Sequence, residues 1–128
     1  MKTLLLAWAL SASSTVPTAT NSEFPGLRVP LRQRMGETRL LDWQEAPAPA
    51  KNMGVLVYEA GATGTSTLYL EERAVVIDRT RKRVVGDFLW KMKPLNGAPA
   101  VKQPEWHWGE HSVQVDFPET GATDQANW

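Results

Sequence analysis

The chain has 128 residues, and its 14 Lys and Arg residues balance its 14 Asp and Glu residues, so the formal net charge is zero. Hydrophobic residues make up 42% and charged residues 22%, as in an ordinary soluble domain. These values exclude a disordered acidic tail, a collagen-like repeat and a histone-like basic protein. The absence of cysteine also excludes disulfides, thiolate metal sites and cysteine nucleophiles.

The N-terminus has the pattern of a secretory signal. Lys2 precedes an apolar run over residues 4–10, and small residues follow it at a plausible cleavage site after Ala12 or Ser13. The run is far shorter than the ~20 residues that cross a bilayer. We interpret residues 1–19 as a signal peptide and flexible lead, with a buried or frayed N-terminal helix as the alternative. This predicts a periplasmic or secreted protein, and a small exported domain without disulfides favours the periplasm.

The next segments give a less definite pattern. Residues 15–26 show no periodicity and extend the flexible lead. Residues 27–45 fit either a broken helix or two short strands, because Pro30 interrupts any continuous helix. Alternating Ala and Pro at 46–50 predicts a stiff, extended connector.

From residue 53 onward the pattern is that of β-structure. Short runs of β-forming residues are separated by Gly, Pro and Asn, and Val113, Val115 and Phe117 alternate with polar residues. This predicts a mostly β protein: a small antiparallel β-sandwich or barrel of six to seven short strands, forming a single domain over residues 27–118 and followed by a polar tail at 119–128. The predicted strands cover residues 54–58, 67–70, 73–78, 83–93, 105–108 and 112–117.

Tryptophan is unusually frequent in so short a chain. Trp106 and Trp108 should face the same side of one strand, where they would be either core residues or binding anchors, since Trp is enriched at interface hot spots. Trp128 follows a polar segment and is expected to be exposed. We take Trp106 and Trp108 as candidate binding residues.

Residues 105–111 hold both histidines and two glutamates. Imidazole and carboxylate bind zinc or copper without thiolates, provided that at least three ligands converge. Glu105 and His107 should share a face of a strand, and His111 on the partner strand would have to approach them. The alternative is a hairpin with solvated polar residues.

A basic cluster of four residues lies at a predicted turn, where it would contact an acidic partner or simply be solvated. The cluster lacks the interleaved aromatic residues of nucleic-acid binders. Its members are Arg79, Arg81, Lys82 and Arg83.

Catalytic motifs are missing from the sequence: there is no Gly-x-Ser-x-Gly, and the adjacent Glu71 and Glu72 would face opposite sides of a strand. We therefore expect no enzyme and no cofactor. The main hypothesis is an exported, non-catalytic β module that binds a protein partner as an inhibitor, immunity-type protein or assembly factor, with no nucleic acid bound and no membrane insertion after signal removal. The alternatives are a small periplasmic metal-binding protein using residues 105–111, a self-associating structural subunit and a histidine-dependent hydrolase.

Overall fold

A computed structural model of the chain describes residues 7–12 and 16–128. This part of the chain contains ten strands in three antiparallel sheets and no helix. The sheets have the orders β1-β2-β3, β4-β5-β6-β7 and β10-β9-β8. The predicted small β fold is confirmed, although the described residues form three sheets and ten strands where one sandwich or barrel of six to seven strands was expected. The strands are β1 (Ala9–Ala12), β2 (Pro17–Thr20), β3 (Val29–Pro30), β4 (Arg39–Glu45), β5 (Met53–Thr63), β6 (Leu68–Asp78), β7 (Arg83–Leu95), β8 (Glu105–Trp108), β9 (Ser112–Phe117) and β10 (Ala122–Asn127).

The two middle strands of the four-stranded sheet, β5 and β6, are buried on both faces. Side chains of β5 and β6 alternate between two sides, as in any strand. Leu56 and Ile77 pack with residues of the N-terminal segment on one side. On the other side, Val76 packs against the C-terminal hairpins and Val55 packs in a neighbouring cluster with their tryptophans. Burial of both faces explains why residues 53–58 form a continuous apolar run instead of an alternating one.

The N-terminal segment contributes large side chains to the first of these clusters. Trp8, Phe24, Val29 and Leu31 are all buried there. In the turn between β2 and β3, the side chain of Asn21 accepts a hydrogen bond from the backbone N–H of Glu23 at 2.7 Å. The region expected as a flexible lead is therefore a strand and a turn that pack into the core.

Only part of the predicted signal segment can be compared with the structure. Residues 1–6 and the candidate cleavage position at Ser13 lie outside the described residues. Within the described part, β1 pairs with β2 over four residues and Trp8 is 4% exposed. The interpretation of residues 1–19 as a cleaved leader stays a prediction.

Residues 27–45 form two strands, which resolves the choice left open by the sequence. Pro30 lies in β3, at the edge of its sheet, where a residue without an N–H group is tolerated. A bulge between Leu40 and Asp42 interrupts the pairing of β4 with β5. Because of this extra residue, Leu40 and Trp43 both pack against the first core cluster.

The strands of the central sheet are longer than the sequence predicted. The segments 67–70 and 73–78 belong to one strand, β6, and β5 continues past Gly61 to Thr63. Gly61 has a φ of 117°, and a Cβ atom at this position would collide with the carbonyl of Met35. Glycine therefore allows a bulge here instead of ending the strand.

The C-terminal sheet contains the predicted hairpin of β8 and β9, and Val113 and Val115 are fully buried. Residues 119–128, expected as a polar tail, include β10, which pairs with β9 over six residues. The side chains of β10 are mostly exposed. The sequence therefore carried no apolar pattern to reveal this strand.

Candidate functional site

An aromatic row lies where the C-terminal sheet covers the central sheet. Trp90 of β7 meets Trp106 of β8 with ring centroids 5.1 Å apart. Trp106 contacts Phe88 at 5.7 Å and Trp108 at 5.6 Å, and Trp108 contacts Trp128 at 6.3 Å. Trp106 and Trp108 do face the same side of β8, as expected. Trp128, expected to be exposed, is half-buried against this row.

Three tryptophans of the row line an open cleft of about 390 Å³. Clefts of this size lie within the range that small ligands and anchoring side chains occupy. Its other walls come from β4, from Val55 of β5 and from the two proline-containing loops that flank it. We call this the tryptophan cleft, and its lining residues are Gln44, Glu45, Pro47, Val55, Trp90, Pro104, Trp106 and Trp108.

The indole N–H groups in the cleft are not all used by the fold. Trp106 Nε1 donates to the carbonyl of Leu89 at 3.1 Å, which fixes this ring against the edge of β7. Gln103 protects the same edge, because its side chain bonds both the N–H and the carbonyl of Met92. Among the described residues, Trp90 and Trp108 have no acceptor for their indole N–H groups. These two indole N–H groups are thus unused by the described part of the fold.

Glu45 borders the cleft, but its side chain shares a face of β4 with Trp43 and points to Arg79 on the other side of the sheet. Its side chain is 76% exposed, and Oε1 lies 3.4 Å from Nη1 of Arg79. Arg79 makes a shorter contact of 2.9 Å to Glu23 and lies over the ring of Trp43. Glu45 is therefore only loosely engaged by the protein itself.

The basic cluster predicted from the sequence is divided in the structure. Arg79 pairs with two glutamates, and Arg81 pairs with Asp78 at 2.9 Å. Lys82 and Arg83 are exposed and take part in no ion pair within the described residues. Half of the cluster is thus neutralised by the fold, which leaves two free cations at this turn.

The structure does not bring the three candidate metal ligands together. Glu105 and His107 alternate with the inward tryptophans, so they lie on the outer face of β8, as expected. His111 lies in the turn before β9, where its closest ionic partner is Glu110 at 3.6 Å. In the part of the chain that the structure describes, no three His, Asp or Glu side chains are placed to hold a metal ion.

His107 instead forms a pair with Asp116. His107 Nε2 lies 3.1 Å from Oδ2 of Asp116 on the exposed face of the C-terminal sheet. Hydrogen bonds from Gln114 and Thr123, together with the nearby His107, hold the pKa of the Asp116 carboxyl below its usual range. The distance suits a histidine base, but the pair lies on an open sheet face, while Trp106 and Trp108 point to the other side.

A network of buried charges on the opposite face of the central sheet was not foreseen. Arg73 Nε lies 2.7 Å from Asp87, and Arg73 Nη1 lies 3.0 Å from Glu71. Arg34 contacts the other oxygen of Glu71 at 3.2 Å, and the hydroxyl of Tyr58 donates to Asp87 at 2.5 Å. Each carboxylate is matched by an arginine, which indicates a structural role.

Sequence reasoning also missed the polar half of the cleft. Gln44 is 46 residues before Trp90 and 62 residues before Trp106, and Pro47 lies in what was predicted to be only a connector. Strand pairing across the sheet brings these segments together. Such long-range pairing cannot be read from the spacing of neighbouring residues. Trp90 lies within the predicted strand at 83–93, but that prediction did not place it in a cleft.

The chain matches no protein-family model, no curated protein and no solved structure. Its described residues include no helix long and apolar enough to cross a membrane. Any functional assignment therefore depends on the geometry of the site.

Proposed function

We propose that the chain is a non-catalytic β module that binds a protein partner through the tryptophan cleft. The observation that supports this most directly is the position of Trp90 and Trp108, which are half-buried, line an open cleft and keep unused N–H donors. Trp is enriched at binding hot spots, because it offers a large apolar area with one polar group.

The cleft favours a protein partner over a sugar. Among the described residues that line it, Gln44 is the polar residue whose side chain shares the face of Val55, and three tryptophans, two prolines and Val55 form most of the remaining wall. A sugar brings many hydroxyl groups that would lose water without gaining partners on such walls. An anchoring side chain of a protein needs few polar contacts.

The module would act after export if the N-terminal pattern is a cleaved signal. Periplasmic or secreted location is part of the proposal on the strength of that pattern alone. Self-association as a structural subunit is the alternative function. Open sheets such as these leave edge strands, including β10, but every open sheet has edges, so this observation does not favour that alternative.

Affinity capture with cleft variants tests the proposed function. Trp108→Phe keeps an aromatic ring in the row but removes the indole N–H and part of the cleft wall. We expect the wild-type chain to retain one stoichiometric partner and Trp108→Phe to bind it about tenfold more weakly. Met35→Ala is the matched control, since Met35 is an apolar residue that is 55% exposed outside the cleft.

The folded state of each variant is checked by urea denaturation followed by far-ultraviolet circular dichroism. Loss of the partner with Trp108→Phe and its retention with Met35→Ala would support the proposal. Equal capture by all three chains, or no partner with any of them, would overturn it.

A further inference from the structure

We infer that the place filled by Trp8 and β1 is a second binding site, where the mature protein takes up an extended segment of a partner protein with one large aromatic side chain. The inference is independent of the tryptophan cleft and rests on the export that forms part of the proposed function. Cleavage after Ala12 or Ser13 removes Trp8 and all of β1. The edge of β2 and the space of the Trp8 ring are then open.

The space of the Trp8 ring is walled by residues that remain in the mature chain. The Trp8 ring is 4% exposed, and its centroid lies 5.8 Å from that of Phe24 and 5.3 Å from that of Trp43. Phe24 and Trp43 lie 6.3 Å apart, with their rings at 75° to each other. Phe24 belongs to the turn between β2 and β3, and Trp43 belongs to β4. Loss of Trp8 therefore leaves a pocket between two aromatic walls.

Both walls are held by contacts that do not involve β1. In the turn that carries Phe24, its N–H donates to the carbonyl of Asn21 at 3.1 Å. The ring of Trp43 covers Gly54, where a Cβ atom would collide with it, and the guanidinium of Arg79 lies 5.8 Å from the centroid of the same ring. A pocket that is already shaped by the fold reduces the ordering cost of binding.

The edge of β2 forms the second part of this site. β1 pairs with β2 in antiparallel fashion over four residues, beginning with Ala9 opposite Thr20. On its other side β2 pairs with β3, so β2 keeps a sheet neighbour when β1 is removed. An open sheet edge binds an added strand through backbone groups, and side-chain pockets determine which strand binds. We call the edge of β2 and the pocket between Phe24 and Trp43 the N-terminal groove.

The segment that fills the N-terminal groove shows what an occupant needs. Ala9, Leu10 and Ser11 of β1 are exposed, and among residues 7–11 Trp8 alone is buried. Backbone pairing and one aromatic ring therefore hold this segment, while its other side chains impose little restriction. A partner's segment needs an extended conformation and a large aromatic residue directly before the paired stretch.

Two buried N–H donors indicate that residues 7–12 leave the groove incompletely satisfied. Trp8 Nε1 and Asn21 Nδ2 are buried and have no hydrogen-bond partner in the part of the chain that the structure describes. The groove thus offers no acceptor to the indole N–H, so it recognises the apolar ring. The Asn21 amide remains after cleavage, and buried donors are normally paired. A partner's segment with an acceptor beside its aromatic residue gains a bond that β1 does not make.

The test uses the mature chain recovered after export from a bacterial host, with its N-terminus determined by mass spectrometry. Three fluorescently labelled peptides are titrated into it: residues 7–12, the same peptide with Trp8→Ala, and the same peptide with Leu10→Ala. Fluorescence anisotropy measures the affinity, and the NMR amide signals of β2 report the position of the peptide.

We expect the peptide of residues 7–12 to bind and to shift the amide signals of β2. Trp8→Ala in the peptide should weaken binding about 30-fold or more, since it removes the anchoring ring. Leu10→Ala is the matched control, because Leu10 is 38% exposed in the groove, and it should change the affinity by less than about twofold.

A protein variant separates the N-terminal groove from the tryptophan cleft. Trp108→Phe in the mature chain should weaken capture of the partner protein, as proposed above, and should leave the affinity for the peptide unchanged. Loss of peptide binding with Trp108→Phe would place the peptide in the cleft and would overturn the inference.

The remaining outcomes also decide the inference. A chain that is not exported, or a mature chain that still contains Trp8, would overturn it, because the groove is then filled by β1. Equal affinity for the three peptides, or binding of none, would do the same. If the mature chain is unfolded alone, folding with the peptide of residues 7–12 but not with its Trp8→Ala variant would support the inference, and folding with neither would overturn it. In every case, capture that depends on Trp108 would leave partner binding by the cleft intact.

Discussion

At the scale of single residues, the buried network of the central sheet shows how charge is accommodated inside a small domain. Tyr58 is fully buried, and Arg73 and Glu71 are less than a tenth exposed. Such groups are tolerated only when their polar atoms are paired, because an uncompensated buried charge costs several kcal/mol. The network meets this condition, because Arg73 pairs with both Glu71 and Asp87 and Arg34 pairs with Glu71.

We predict that Tyr58→Phe destabilises the fold. The Tyr58 hydroxyl accepts a hydrogen bond from the backbone N–H of Arg32 at 3.0 Å and donates one to Asp87. Its removal leaves both groups without this partner, at a cost of about 1–3 kcal/mol in the free energy of unfolding. Urea denaturation measures the change. Tyr69→Phe is the control, because the Tyr69 hydroxyl is bonded only to an exposed carbonyl, and it should cost less than about 1 kcal/mol.

Tyr58 should also make the stability of the folded protein depend on pH under alkaline conditions. Burial and the adjacent Asp87 raise the pKa of Tyr58 above its ordinary value. The unfolded tyrosine therefore ionises first, near pH 10, while the folded one keeps its proton. This contribution to stability is fully present below pH 10 and is lost progressively as the pH rises above it. The stability difference between the wild type and Tyr58→Phe should shrink above pH 10; a constant difference in urea titrations would contradict the assignment.

At the scale of elements, the sequence revealed strands whose side chains alternate or form apolar runs. β9 was predicted because Val113 and Val115 alternate with polar residues. Most of the central sheet was predicted because it contains apolar runs such as the one at 53–58. β10 and β2 escaped prediction because their pairing is made by backbone groups and their side chains are mainly small or polar. Hydrophobic periodicity reflects the burial of side chains, so a strand whose side chains are mostly not buried apolar residues cannot be recognised from it.

The cleft was only half predictable for a related reason. Trp106 and Trp108 could be named because two large aromatic residues at i and i+2 must share a face of a strand. Gln44 could not, because it reaches the cleft through the pairing of β4 with β5, which is a long-range property. Likewise, Glu105, His107 and His111 are close in sequence, but the turn before β9 separates His111 from the other two.

We predict that Trp8, which directly precedes β1 and packs in the first core cluster, is needed for the stability of the fold. It is 4% exposed and its ring lies 5.8 Å from Phe24 and 5.3 Å from Trp43. Trp8→Ala should lower the free energy of unfolding by about 3–5 kcal/mol, the usual range for a buried large aromatic residue. Leu10→Ala is the control, since Leu10 is 38% exposed and should change the stability by less than about 1 kcal/mol.

Mass spectrometry of the exported chain would show whether the mature protein contains Trp8. Cleavage after Ala12 or Ser13 removes Trp8, so a signal peptide predicts a mature mass without this residue. In that case Trp8→Ala would leave the stability of the mature protein unchanged. A full-length mature chain that is destabilised by Trp8→Ala would overturn the prediction of a cleaved leader.

At the scale of the whole molecule, the central sheet links the clusters that pack on its two faces. Trp8 and Phe24 pack on one face with Val75 and Ile77, while Val113 packs on the other with Val76. Neighbouring residues of one strand therefore belong to different clusters. Loss of packing on either face should disturb the strand that both faces share.

We therefore predict that the chain unfolds in one cooperative transition in spite of its three sheets. Urea curves followed by far-ultraviolet and near-ultraviolet circular dichroism should coincide, as expected for a small two-state domain. Val113→Ala, which removes buried methyl groups, should shift this transition by about 2 kcal/mol without dividing it, and Trp8→Ala should shift it in the same manner. A variant on one face that separates the two curves would show that its sheet unfolds alone, and that the central sheet does not couple the cores.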